Sequence, residues 1–85
     1  MSNWNLIILK QAEKYLKKLN PADQKRIIQG LKLLIQDQSL VDIKPLKGRL
    51  EWRLRVGDFR ILYREDQENK AYVVTKIKSR GDVYK

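Results

Sequence analysis

The pattern of apolar and polar residues changes its period along the chain and marks out successive elements. A short apolar run over residues 4–9 predicts a first strand, and after it apolar residues recur at the spacing of a short helix. Asn20 followed by Pro21 predicts the start of a second helix, because asparagine caps helices well and proline suits the first helical position. We expect that helix to cover residues 21–36 and residues 37–50 to form a connection.

The most regular alternation lies in residues 51–64, where apolar and basic side chains take turns on either side of Gly57-Asp58. A two-residue turn of this kind fixes the register of a β-hairpin and sets Arg55 directly opposite Arg60. Successive side chains of a strand point to opposite faces, so one face of the hairpin is apolar and the other basic. The apolar face carries Trp52, Leu54, Val56, Phe59, Ile61 and Tyr63, and the basic face carries Arg53, Arg55, Arg60 and Arg64.

A last strand is predicted over residues 71–79, after a polar turn at residues 65–70. Strict alternation would place Val73, Thr75 and Ile77 on one face. It would place Tyr72, Val74, Lys76, Lys78 and Arg80 on the other. If this strand pairs with the second strand of the hairpin, its basic residues join Arg55 and Arg60 on one surface.

Together these elements predict an α+β fold in the order β-α-α-β-β-β, as one domain over residues 1–85. A helical hairpin would pack on one face of a small, antiparallel-rich sheet. Gly30 lies inside the second predicted helix, where glycine costs up to about 1 kcal/mol relative to alanine. We therefore expect Gly30 to mark close packing against the first helix.

Composition narrows the chemistry that the chain supports. The 85 residues include no cysteine and no histidine, so we expect no disulfide, no metal site and no cofactor. No segment approaches the roughly 20 apolar residues that cross a bilayer, which predicts a cytoplasmic protein without a membrane partner. The formal net charge of +9 points to polyanionic partners. Basic residues are densest in residues 44–64, where seven stand against two acidic ones.

Two interpretations of the facing arginines remain open. Like charges opposite each other on adjacent strands cost roughly 0.2–1 kcal/mol, so a chain that keeps such a pair on one face is expected to bind an anion there. Alternatively, Arg55 and Arg60 belong to a solvated face, or pair with Glu51 and the acidic residues of the following turn. Tyr84 also has two interpretations, as a tail aromatic that packs on the sheet edge or as a group that stacks on a base and transfers protons.

Three runs of sequence resemble the toxins of the RelE/ParE superfamily. They are Pro45-Leu-Lys-Gly48, residues 51–63 and Ile77-Lys-Ser-Arg-Gly-Asp-Val-Tyr84, and they occur in the order typical of that superfamily. The resemblance implies a toxin of a toxin–antitoxin system. In its RelE-like branch it implies a ribosome-dependent endoribonuclease that cuts translated mRNA and is held silent by a cognate antitoxin. It also implies the ribosome and mRNA as partners, and we expect no small-molecule ligand.

The resemblance assigns roles residue by residue. Arg60 would stabilise the phosphate. Arg53 and Arg55 match a basic pair on the preceding strand. Functional positions near the carboxyl end of the chain are matched by Lys78, Arg80 and Tyr84. The predicted catalytic set is Arg55, Arg60, Arg80 and Tyr84. The predicted RNA-binding set is Arg53, Lys76, Lys78, Lys47 and Arg49.

The chemistry expected of such a set is metal-independent cleavage of RNA by attack of its own 2′-hydroxyl. Arginines orient and stabilise the phosphate through paired hydrogen bonds, but they remain protonated and are poor bases. Proton transfer would therefore fall to Tyr84, to Lys78, or to a group of the ribosome or substrate. Two alternatives remain: a ParE-like inhibitor of DNA gyrase, and an RNA-binding module without catalysis.

Overall fold

The computed structural model describes residues 4–48 and 50–79, in which two helices pack against a five-stranded mixed sheet. The strands are β1 (Asn5–Ile8), β2 (Asp42–Pro45), β3 (Trp52–Val56), β4 (Phe59–Asp66) and β5 (Ala71–Ser79). The helices are α1 (Lys10–Lys18) and α2 (Pro21–Gln36). The sheet order is β1-β5-β4-β3-β2, and every neighbouring pair is antiparallel except β1 with β5. The predicted α+β class and its helical hairpin are confirmed.

The start of α2 follows from its capping sequence. The side chain of Asn20 accepts a hydrogen bond from the backbone N–H of Asp23 at 2.9 Å, and Pro21 occupies the first turn. The cap supplies a partner for one of the N–H groups that a helix start leaves unpaired. The helix ends at Gln36, so its predicted bounds are confirmed.

The prediction that residues 37–50 form only a connection is wrong. This segment contains a short 3-10 turn over Gln38–Leu40 and the edge strand β2, which pairs with β3 from Asp42 opposite Arg55 to Pro45 opposite Trp52. Proline is tolerated on an edge strand because its missing N–H faces away from the sheet. A strand of four residues that ends in proline carries too short an alternation to be recognised in sequence.

The predicted hairpin register is confirmed at every pair. Gly57 adopts a left-handed conformation in the turn, with φ of 56°, and Arg55 faces Arg60. Strand β4 continues to Asp66, two residues past the predicted end of its run at Arg64. Every residue of β3 pairs with β4 in the register counted from the turn.

The predicted faces of the last strand are partly wrong, because a β-bulge interrupts its pairing with β4. Leu62 pairs with Lys76 and Tyr63 with Val74, so Thr75 is left without a partner in the register. The extra residue reverses the alternation on its amino-terminal side. Tyr72 and Val74 consequently join Ile77 in the core, while Lys76 keeps its predicted outward face.

The core lies between the helices and one face of the sheet. It is formed by Ala12, Leu16, Ile27, Leu31, Leu34, Leu54, Phe59, Ile61, Tyr63, Tyr72, Val74 and Ile77. A Cβ atom on Gly30 would lie 2.6 Å from Cγ2 of Val56. Gly30 thus marks close packing of α2 against strand β3, and the predicted contact with the first helix is wrong. No helix in the described part of the chain is long and apolar enough to cross a membrane.

Candidate nucleic-acid interface

Three cations follow one another across adjacent strands on the face of the sheet opposite the helices. Arg55 on β3 pairs with Arg60 on β4, and Arg60 pairs in turn with Lys78 on β5. We call these three residues the cation row. Neighbouring strands lie about 4.8 Å apart, so the Cα atoms of the row span only about 10 Å. Arg55 is exposed, and Arg60 and Lys78 are half-buried.

Within residues 4–48 and 50–79, no acidic side chain forms an ion pair with the cation row. Ion pairs between described residues instead join Lys17 to Glu13 and Arg53 to Asp42. Like charges at this spacing repel each other unless an anion lies between them. The cation row is therefore a concentration of positive charge that no described acidic side chain neutralises by an ion pair.

Arg53 lies beside the row but is engaged differently. Its Nη2 lies 3.1 Å from Oδ1 of Asp42, and its side chain is only 12% exposed. Its Nε is buried and has no hydrogen-bond acceptor among the residues that the structure describes. Arg53 thus joins edge strand β2 to β3, a position that favours support of the sheet over direct contact with a ligand.

The acidic residues predicted as alternative partners of the arginines make other contacts. Glu51 accepts a hydrogen bond from the hydroxyl of Thr75, the bulged residue of β5. Asp66, the last residue of β4, accepts hydrogen bonds from the side chain and the backbone N–H of Asn69, and these two bonds hold the pKa of Asp66 below its ordinary value. These contacts speak against the ion-pair alternative for Arg55 and Arg60, whereas the anion-binding and solvated-face interpretations both stay predictions.

Comparison with known proteins decides the family. Residues 6–84 match the family model described as the ParE toxin of type II toxin-antitoxin system, parDE. The chain belongs to this toxin family. The prediction of a RelE/ParE superfamily toxin is confirmed, and the protein is a toxin of a type II toxin–antitoxin system.

Relatives of this toxin carry RelE names. It is 35% identical to the "Putative toxin RelE1" of Methanocaldococcus jannaschii, over 96% of each chain. Its structure resembles the archaeal RelE-RelB complex from Pyrococcus horikoshii OT3 with a TM-score of 0.78 and 28% identity, covering 95% of this chain and 98% of that one. The intact Escherichia coli RelBE complex shows the same fold, with a TM-score of 0.76 at 15% identity and coverage of 89% and 95%.

Of the remaining predicted site residues of the toxin, Lys76 lies near the cation row and Lys47 lies far from it. Lys76 pairs with Leu62 on the outer face, two residues along β5 from the cation row. Lys47 lies in the turn after β2, at the end of β3 that is distant from Arg55. Three predicted residues lie outside the described residues: Arg49, Arg80 and Tyr84.

Strand β2 adds two charged residues that sequence reasoning missed. Asp42 faces Arg55 and Lys44 faces Arg53 in the register of β2 with β3. Their only local signal is the alternation of Asp42, Ile43 and Lys44, which Pro45 ends after one period. Asp42 has a direct effect on the site, because it is the ion-pair partner of Arg53.

Tyr63, a buried tyrosine of β4, does not supply a base to the candidate site. Tyr63 belongs to the core, and burial, reinforced by the nearby Glu65, raises the pKa of its phenol well above the ordinary value of 10.0. A phenol with a raised pKa keeps its proton at neutral pH and does not act as a base. No cluster of acidic residues that could hold a metal ion occurs in the described part of the toxin.

Proposed function

We propose that this toxin is a ribosome-dependent endoribonuclease that cleaves translated mRNA and so arrests translation and growth. The cation row, which forms no ion pair with a described acidic residue, is the observation that carries the proposal. The RelE names of its relatives support the same branch. A net charge of +9 would also speed its encounter with the ribosome and make binding strongly dependent on salt.

The row supplies the electrostatic part of the proposed reaction. Arg60 lies between Arg55 and Lys78 and is therefore best placed to hold the scissile phosphate. Guanidinium groups donate two parallel hydrogen bonds to phosphate oxygens and stabilise the charge that grows in the transition state. Attack by the 2′-hydroxyl would then need a base and an acid. The candidates for these proton transfers are Tyr84, Lys78 and groups of the ribosome or substrate.

A cognate antitoxin is the proposed protein partner. The Pyrococcus horikoshii and Methanococcus jannaschii relatives of known structure are complexes of RelE with RelB, at 28% and 26% identity to this chain. We infer that the antitoxin of this toxin supplies acidic and apolar side chains, which cover the basic face or displace the segment that carries Tyr84.

Inhibition of DNA gyrase is the second candidate function, and the ParE name of the matching family model favours it. That function needs a surface for a protein partner and does not use a phosphate-binding row. It predicts that Arg60→Ala leaves growth arrest largely intact. A non-catalytic RNA-binding module would instead bind RNA without cleavage and without toxicity.

Induced expression with two readouts separates these functions. Primer extension on cellular mRNA reports cleavage, and a DNA supercoiling assay on purified gyrase reports its inhibition. We compare the wild type with Arg60→Ala and with Arg64→Ala as the matched control, because Arg64 is an exposed arginine of the same strand outside the row. Cleavage within translated regions is expected for the wild type and Arg64→Ala and is expected to disappear in Arg60→Ala.

The opposite pattern would remove the nuclease proposal. If growth stops while mRNA stays intact and supercoiling changes, the toxin acts on gyrase. If Arg60→Ala cleaves mRNA as well as Arg64→Ala does, the cation row is not the phosphate site.

A further inference from the structure

The two edges of the sheet differ in charge. Strand β2, at one edge, carries Asp42, Lys44 and Pro45. Charged residues and proline are devices that keep an edge strand from pairing with another chain. Strand β1, at the other edge, has neither, and residues 1–9 are the longest stretch of the sequence without a charged side chain. The features that protect β2 are therefore missing from β1.

The backbone of β1 presents hydrogen-bonding groups on its outer side. The N–H of Leu9 donates to the carbonyl of Val74 on β5 at 3.0 Å, and that of Asn5 donates at 2.8 Å to the residue before β5. Successive residues of a strand direct their backbone groups to alternate sides, so the N–H and C=O of Leu6 and Ile8 face away from β5. Within the described part of the chain, β1 pairs with β5 alone. These groups are thus available to a partner strand.

The side chains of β1 are apolar on both faces of the sheet. Ile7 is 42% exposed and lies beside Val73 on the face opposite the helices. Leu6 and Ile8 lie on the helix face, where they are half-buried and pack against the core. Leu9, which follows the strand, is 38% exposed. An accessible apolar strand with a free edge is a template for pairing with a strand of another chain.

We propose that the toxin forms a weak homodimer in which β1 pairs antiparallel with β1 of a second copy. Hydrogen-bonded pairs must join residues whose backbone groups face outward, which are Leu6 and Ile8. Leu6 of each copy then faces Ile8 of the other, and four backbone hydrogen bonds join the copies. The two Ile7 residues face each other at the two-fold axis in a pair without hydrogen bonds, with Cα atoms about 4.5 Å apart.

The charge of the toxin favours a second copy at this edge and the antiparallel direction. Copies with a net charge of +9 repel each other, and β1 lets them meet along an uncharged strand. Lys10 lies three residues from the axis, so antiparallel pairing places the two Lys10 residues roughly 20 Å apart, beyond the Debye length of about 8 Å. Parallel pairing would bring them within about 5 Å of each other.

The proposed interface is separate from the cation row. Strand β1 pairs with β5 only as far as Val74, whereas Lys78, the member of the row on β5, lies beyond that point. Arg55 and Arg60 lie on strands farther from this edge. Dimer formation therefore does not depend on the proposed nuclease function, and either can fail without the other.

The first test is sedimentation equilibrium of the full toxin from cell-free synthesis, over concentrations of about 5–500 µM. An interface of one short strand lies at the small end of the range, so we expect a Kd on the order of 100 µM. Raising the salt concentration screens the repulsion between copies and is expected to tighten association severalfold. A monomer at every concentration would overturn the dimer. Association that weakens with salt would indicate copies bridged by nucleic acid and would also overturn it.

A pair of variants with the same added charge tests the position of the interface. Ile7→Lys places two lysines directly opposite each other at the axis and is expected to be monomeric over the whole concentration range. Leu40→Lys adds the same charge at a residue that is 54% exposed, in the 3-10 turn before β2, and is expected to associate as the wild type does. Equal association of the two variants would overturn pairing through β1.

Charge complementation tests the register. Ile7→Lys and Ile7→Glu are each expected to be monomeric, and an equimolar mixture is expected to form a heterodimer, because opposite charges then face each other. A wild-type dimer without this rescue would overturn the register at Ile7. Amide exchange provides the last control, since the N–H groups of Leu6 and Ile8 are expected to gain protection as concentration rises. Protection that is independent of concentration would show that the same chain covers the edge, and would overturn the dimer.

Discussion

Replacing Gly30 by alanine tests how closely α2 packs on the sheet. In an exposed helix this substitution stabilises by up to about 1 kcal/mol, because glycine loses more conformational freedom on folding. In this toxin the added Cβ would lie 2.6 Å from Cγ2 of Val56, well inside van der Waals contact. Valine is β-branched and has few accessible rotamers, so it cannot move aside without cost.

The expected size of the effect follows from these opposing contributions. Overpacking a well-packed core costs typically about 1–3 kcal/mol, so the net result for Gly30→Ala is a destabilisation of about 1–2 kcal/mol. For a domain of this size, each kcal/mol lowers Tm by roughly 4–8 °C. The helix propensity of alanine alone predicts a change of the opposite sign.

The assay is a double-mutant cycle with Val56→Ala, measured by urea unfolding of the four purified proteins. In the Val56→Ala background the clashing methyl groups are absent, and Gly30→Ala is expected to stabilise the toxin by up to about 1 kcal/mol. The sign of its effect therefore depends on residue 56. A stabilising effect in the wild-type background, or the same effect in both backgrounds, would refute the argument from close packing.

Substitutions that begin at Tyr63, Asp42 and Thr75 test other contacts of the sheet by urea unfolding. The pKa of the Tyr63 phenol is raised in the folded state, so the unfolded state releases this proton at a lower pH. The free energy of unfolding of the wild type should therefore fall as the pH rises above 10.0. Tyr63→Phe should lessen that fall. Asp42→Ala leaves the mostly buried Arg53 without its carboxylate and should lower the free energy of unfolding by about 1 kcal/mol. This loss is smaller than for a fully buried pair because Asp42 is half exposed. Adding Arg53→Met to Asp42→Ala should restore the lost stability, because no unpaired charge then remains. Thr75→Val removes the hydroxyl bound to Glu51 and should cost about 1 kcal/mol, while Thr75→Ser should cost less.

Elements whose signals are local were predicted correctly from sequence. The cap at Asn20 and the proline after it set the start of α2, and the turn at Gly57 set the register of the hairpin. These devices act within a few residues, so tertiary context does not override them. The facing pair of Arg55 and Arg60 follows directly from the turn, which is why the centre of the candidate site could be predicted.

Features that depend on distant contacts were not predicted. Strand β2 exists because its four residues pair with β3, and its own sequence does not require extended structure. The partner of Gly30 was placed on the wrong element because sequence shows that a glycine needs space but not which atoms occupy it. Likewise, the ion pair of Asp42 with Arg53 arises only once β2 has joined the sheet.

The bulge in β5 allows this strand to contribute residues both to the core and to the cation row. Strict alternation would place Tyr72, Val74, Lys76 and Lys78 on one face, although the first two belong in the core and the last two outside. One extra residue, Thr75, removes this conflict. Lys76 and Lys78 were placed correctly because they lie on the far side of the bulge from the residues whose faces it reverses.

Contacts on both sides of the bulge then hold that extra residue in place. The carbonyl of Thr75 accepts a hydrogen bond of 2.7 Å from the side chain of Gln11 on α1, and its hydroxyl donates to Glu51. A bulge that is tied to α1 and to the residue that precedes β3 cannot slip along the strand without breaking both contacts. Since the position of Lys78 opposite Arg60 depends on that register, the geometry of the cation row depends on hydrogen bonds made by residues that do not belong to it.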